Sequence, residues 1–205
     1  MDPMPSRAAR TAYLVLTLIF WITVVAGLVL VAHRLVGFGQ DSGTLTLPAS
    51  VSVNDVRLPE TFEIAGPLPV NVDLADPSLS QRVIATVPVF VWWALALVVL
   101  WLVRKVARSA AQGDPFKASN VTRLRWLGAL FLLGFPFATM IAGYFGDLLF
   151  SPDVWTGGPL PPGGIDTGSQ VVVSAPAIMA AVCLFALAEV FAYGARLRED
   201  VDATI

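Results

Sequence analysis

Gln112-Gly113-Asp114-Pro115-Phe116-Lys117-Ala118-Ser119-Asn120-Val121-Thr122-Arg123-Leu124-Arg125 parts two long apolar runs near the middle of a 205-residue chain. Gly113 and Pro115 stop a helix from running straight through. Ser119 or Asn120 can cap the helix that follows, offering a side-chain oxygen to its free N–H groups. The stretch reads as a connector between two membrane crossings. Which side of the membrane it occupies decides the topology of everything else.

Composition is what calls for a membrane. The chain is 56% apolar and 14% charged, with a mean hydropathy of +0.73. A soluble domain carries about a quarter charged residues. The net charge of -2 averages two unequal sets, and their placement matters more than their sum. Cys183 is the lone cysteine, so neither an internal disulfide nor a CxxC pair can form. It is expected to act as a small buried hydrophobe in its apolar run.

Working outward from the connector (residues 107–125), the second span covers 83–106 and the third 126–150. Pro88 falls in the first turns of the second, where its missing N–H costs little. Trp101 beside Arg104 and Lys105 reads as an interfacial aromatic belt meeting the positive side. Gly128, Gly134, Gly143, Gly146 and Pro136 make the third span a kinkable helix suited to close packing. The first span ends a segment of residues 1–36; its apolar run from Ala12 to Val36 is too long for the core of a signal peptide, about 7 to 15 residues. His33 and Arg34 stand at its far end, within reach of headgroups. The fourth span covers 171–194 and a short tail 195–205.

Two segments differ in character. Residues 151–170 are rich in Pro and Gly and contain no Lys or Arg. Residues 37–82 alternate, as in Thr44-Leu45-Thr46-Leu47 and Val70-Asn71-Val72-Asp73-Leu74, between frequent prolines and glycines. That pattern predicts short strands and turns. The expected fold is therefore mainly α: a four-helix transmembrane bundle with a small β-rich extracytoplasmic segment between the first two helices. The acidic residues of 37–82 read as a solvated face, without the clustered oxygen-ligand loop of a calcium site.

The basic residues set the orientation. Arg7, Arg10, Arg104, Lys105, Arg108, Lys117, Arg123, Arg125, Arg196 and Arg198 fall on one face of four spans; Arg34, Arg57 and Arg82 fall on the other. By the positive-inside rule the richer face is cytoplasmic, with both termini and the connector on it.

Catalysis finds no support. His33 is the single histidine, and no HExxH, CxxC, P-loop or dinucleotide fingerprint occurs. No cofactor and no metal is expected, and no spacing supports an acid–base pair such as Asp147 with His33. The basic residues are scattered along juxtamembrane stretches, which suits anionic lipid better than direct contact with nucleic acid. Glu189 is the acid placed within an apolar span. An ionised carboxylate facing lipid costs about 2.5 to 3.5 kcal/mol. It is therefore expected to face the bundle as an intramembrane brace, paired with Arg104, Arg123 or Arg125 or hydrogen-bonded by Asn120 or Thr122, with a proton or ion path as the alternative.

Two blocks carry a resemblance. The first is Gly113-Asp114-Pro115-Phe116 with Asn120, Arg123-Leu124-Arg125 and Gly128; the second is Leu187-Ala188-Glu189-Val190-Phe191 with Gly194, Leu197, Glu199-Asp200 and Thr204-Ile205. In these the chain resembles a bacterial membrane family known as domain of unknown function 2975, over its second half. Relatives often carry basic residues where this chain has Ala192 and Tyr193. The resemblance implies four crossings, short cytoplasmic ends, a bacterial plasma membrane and a small helix-turn-helix regulator as partner. On that basis Asp114, Pro115, Phe116, Asn120, Arg123 and Arg125 are the candidate partner-binding residues of a sensor or anchor. A transporter or channel subunit using Glu189 is the alternative, and a homo-oligomer is compatible with either.

Overall fold

The computed structural model describes residues 7–36, 44–51, 68–75, 77–151, 154, 165–166 and 174–202. The protein is mainly helical: α1 (Arg7–Val36), α2 (Leu79–Ala111), α3 (Ala118–Ala129), α4 (Phe135–Leu149) and α5 (Ala175–Asp202). A π-helical turn, Leu130–Gly134, joins α3 to α4, so the five helices make four spans of 30, 33, 32 and 27 residues. About 20 apolar residues cross a bilayer. Lipid is the solvent these helices require. Of the most apolar stretch of α1 only 6% is buried, and no span exceeds 22%. A helix that exposes Leu14, Val15, Ile19, Trp21, Leu28 and Leu30 over more than half of its circumference is stable in hydrocarbon and not in water.

The helices reach further than the apolar runs alone indicate. α2 starts at Leu79 and not at 83, because Ser78-Leu79-Ser80-Gln81 forms a capping box. Gln81 N donates to Ser78 Oγ at 3.3 Å, and Ser78 N donates to Gln81 Oε1 at 2.8 Å. At its other end α2 continues through Ala111, because nothing after Val106 breaks a helix before Gly113. α5 likewise continues to Asp202, so the described part of the expected tail is helical.

The π-helical turn has a local cause. Pro136 lacks an N–H, and its ring would collide with the carbonyl four residues back in a regular helix. The chain widens by one residue just before it, and Phe135 N donates to Leu130 O five residues back.

Three short strands are described by their backbone. β1 (Thr44–Val51) and β2 (Leu68–Ala75) pair antiparallel from Thr44↔Ala75 to Val51↔Leu68. β3 (Ile165–Asp166) pairs with Ser50 and Val51 of β1, giving the order β2-β1-β3. The β-rich segment expected over 37–82 is not supported as a whole. Residues 79–82 are helical, and 37–43, 52–67 and 76 lie outside the described residues.

The chain divides into two compact units. The first comprises residues 1–27, 93–137 and 173–205. Its core is Leu102 from α2, Val121, Leu124 and Leu127 from α3, and Ala188 from α5, with Val99, Val103, Leu130, Leu184, Phe191 and Ala192 around them. Small residues bring these helices close: Phe185 packs over Gly128 and Leu95 over Gly134. α1 joins through Trp93, whose ring lies where a side chain at Gly27 would stand and whose Nε1 donates to Thr23 O at 2.9 Å. The second unit comprises residues 28–92 and 138–172. In it the buried Gln81 extends its amide to Val154 O at 2.8 Å. Cys183 is exposed and not buried as expected.

Candidate functional site

Helix α2 ends in a Schellman motif that shapes the connector. Gly113 has φ 83°, a left-handed conformation that a Cβ disfavours. Its N–H donates to Ala110 O at 3.1 Å, and Asp114 N donates to Ser109 O at 3.1 Å. Ser109 is buried and closes the turn from the other side, its Oγ donating to Asp114 O at 2.7 Å. Pro115 then prevents any continuation of the helix. The reversal takes six residues, 112–117, where the sequence reading assigned 107–125 to the connector.

The start of α3 is not capped as expected. Lys117 occupies the N-cap position in extended conformation and makes no side-chain cap. Asn120 lies in the first turn, fully buried, and its amide works sideways. Asn120 Nδ2 donates to Pro115 O at 2.9 Å, while its Oδ1 accepts from Arg123 Nη1 at 2.8 Å. Arg123 Nη1 also reaches Lys105 O on α2 at 3.3 Å. One amide thus ties the connector to α3, and through Arg123 to α2. Leaving such a buried polar group unpaired costs about 1 to 3 kcal/mol.

The C-terminal part of α5 completes the surface. The Phe116 ring centroid lies 5.3 Å from that of Phe191, tilted at 49°, and packs on Gly194. A Cβ at Gly194 would stand 2.7 Å from Phe116 Cδ1, so this mid-helix glycine leaves room for the ring. Arg198 Nη1 donates to Asp114 Oδ1 at 2.5 Å in a half-exposed ion pair. Two stretches 84 positions apart in sequence become one platform.

The predicted residues divide accordingly. Asp114, Pro115, Phe116, Asn120 and Arg123 are brought together, and Asn120 acts inside the platform because no part of it reaches the surface. Arg125 lies apart from them, about 200° around α3 from Arg123, and pairs with Glu189 Oε1 at 2.8 Å. Of the three arginines expected for Glu189, Arg125 is the partner in the structure. Arg123 is engaged by Asn120, and Arg104 stacks 4.7 Å from the centroid of Phe20. The pair is not buried, with side chains 53% and 69% exposed, so it links α3 to α5 along their outer surface. Sequence reasoning missed Ser109, Arg198 and the seat for Phe116 at Gly194. Gly113 followed by Pro115 signals the turn that engages Ser109; no local pattern signals the other two. Among the described residues no group of three His, Cys, Asp or Glu could hold a metal ion.

A family model described as "Protein of unknown function (DUF2975)" matches residues 54–205. The match begins well before the two blocks that carried the resemblance and takes in part of the 37–82 segment and all of α2. No curated protein and no solved structure matches the chain.

Proposed function

We propose that this chain, which belongs to the family described as protein of unknown function (DUF2975), is a membrane anchor or sensor whose platform of connector and α5 terminus docks a cytoplasmic protein. Its being a multi-span membrane protein is the premise, since four helices are long and apolar enough to cross a bilayer. The observation that carries the docking reading is the interlock of Asp114 with Arg198 and of Phe116 with Phe191 and Gly194. It holds exposed polar and aromatic groups from two separate stretches in fixed positions, as a recognition surface requires. Phe116 stays 40% exposed although it packs on α5.

The rest of the reading belongs to the same proposal. The membrane is a bacterial plasma membrane, both termini and the connector are cytoplasmic, and the partner is the small helix-turn-helix regulator that the family resemblance implies. Support for the sidedness is the ten-to-three split of basic residues, all ten falling at one set of span ends. The 37–82 segment is then extracytoplasmic, where a signal would be received. The ion-path alternative rests on Glu189, whose carboxylate already has Arg125 as its partner, and gains no further observation.

Two experiments test this. Reporter fusions at Lys117 should report the cytoplasm; a periplasmic or extracellular signal there overturns the orientation and the docking reading with it. Affinity purification of the tagged full chain from its native membranes should bring down a helix-turn-helix protein. Recovery should fall at least tenfold with Asp114→Ala/Phe116→Ala and persist with Arg196→Gln. Unchanged recovery in the double variant defeats the docking reading.

A further inference from the structure

Beside the platform, α2 and the start of α3 enclose a cleft of about 270 Å³ lined by Lys105, Arg108, Ser109, Gln112, Asp114, Lys117, Ser119 and Arg123. Four cationic side chains face one carboxylate there, and that carboxylate, Asp114, is already engaged by Arg198 from outside the cleft. Arg123 is held in place by Asn120 Oδ1 and Lys105 O through one nitrogen, Nη1. Lys105 Nζ rests over the Trp101 ring at 3.6 Å, beside the expected membrane interface. Arg108 and Lys117 are exposed at the rim and have no ion-pair partner among the described residues. The first turn of α3 has no side-chain cap, so the positive end of its dipole is open. Two exposed cations without an ion-pair partner among the described residues, a fixed arginine behind them and an uncapped helix start favour the same occupant: an anion with several acceptor oxygens.

We propose that this cleft is a binding site for a phosphate group, with Arg108 and Lys117 as its outer clamp and Arg123 as its fixed inner cation. A cleft of about 270 Å³ has ample room for the five heavy atoms of a phosphate group. The group has two sources, an anionic lipid headgroup or a soluble phosphate compound. The cleft shares Asp114 and Arg123 with the docking surface, and the two readings are separated by altering only Arg108 and Lys117, which are not docking residues.

The test uses the full chain in phosphatidylcholine nanodiscs and its Arg108→Gln/Lys117→Gln variant, with Arg196→Gln as a control of equal sign at an exposed position on α5. In one arm inorganic pyrophosphate is titrated calorimetrically. In the other, phosphatidylglycerol is added to the nanodiscs and retained lipid is counted by native mass spectrometry. The expected result is binding in at least one arm that weakens at least tenfold in the double variant and persists in Arg196→Gln. Pyrophosphate binding names a soluble source and lipid retention a headgroup. Absence of both, or an equal loss in Arg196→Gln, overturns the proposal. An unchanged melting temperature in the double variant shows that the protein tested is folded.

Discussion

Phe116 and Gly194 meet as a ring and an empty place: Cδ1 of the phenylalanine lies 2.7 Å from where a Cβ on the glycine would be built. A glycine inside a helix is worth about 1 kcal/mol less than alanine, so its presence in α5 is a local disadvantage offset by this contact.

That relation predicts a sign change. In the parent chain, Gly194→Ala should displace the Phe116 ring and lower stability by about 1 to 3 kcal/mol, the usual cost of overpacking. In a Phe116→Ala background the same substitution should be neutral or stabilising by up to about 1 kcal/mol. A double-mutant cycle on unfolding in detergent measures the coupling; additive effects contradict the contact.

Asn120 should be the most sensitive polar position in the connector. Asn120→Leu strands Pro115 O and removes the acceptor that orients Arg123, at a cost of about 1 to 3 kcal/mol. Asn120→Asp keeps the acceptor for Arg123 but brings an oxygen against Pro115 O, and should also destabilise. Chemical denaturation midpoints of the two variants decide the matter, with a wild-type midpoint in both counting against the role of the amide.

Gly113 should resist replacement. Its φ of 83° places an alanine in the left-handed region, at about 1 to 2 kcal/mol. Gly113→Ala should lower the melting temperature of the detergent-solubilised chain, whereas Gly113→Asn should lower it less because asparagine visits that region more readily. Equal losses would show that the left-handed turn is not what the glycine provides.

Arg125 and Glu189 differ from an ordinary surface pair in their neighbours. Exposed Trp126 and Val190 stand next to them in sequence, on helices apolar enough to cross a bilayer. An exposed pair in water is worth about 0.2 to 1 kcal/mol. In bilayers the coupling between Arg125→Leu and Glu189→Leu should exceed about 1 kcal/mol, because either single change leaves a lone charge among apolar side chains. Steric-trapping or equivalent unfolding in bicelles reads the cycle, and a coupling near zero places the pair in water.

The four apolar segments were legible in the chain because lipid selects segments one at a time. Hydropathy over about 20 residues decides a crossing regardless of what it later packs against. Helix ends were less legible. Ser78 with Gln81 was a readable start for α2 that the alternating pattern of 37–82 masked, while the end of α2 depended on a reversal at Gly113 whose signal was present. The β-rich reading of 37–82 came from alternation alone, and alternation does not specify the pairing partners or the extent of a sheet.

By itself, then, the sequence determined that this is a membrane protein of its family with four segments long and apolar enough to cross a bilayer. Tertiary structure alone decided that Glu189 meets Arg125, 64 positions away, and not Arg104 or Arg123, and that Gly194 exists to admit Phe116. The physical reason is that burial in lipid is a property of each segment, whereas a contact requires two helices to be set in register by the packing of Leu102, Leu124, Leu127 and Ala188 between them.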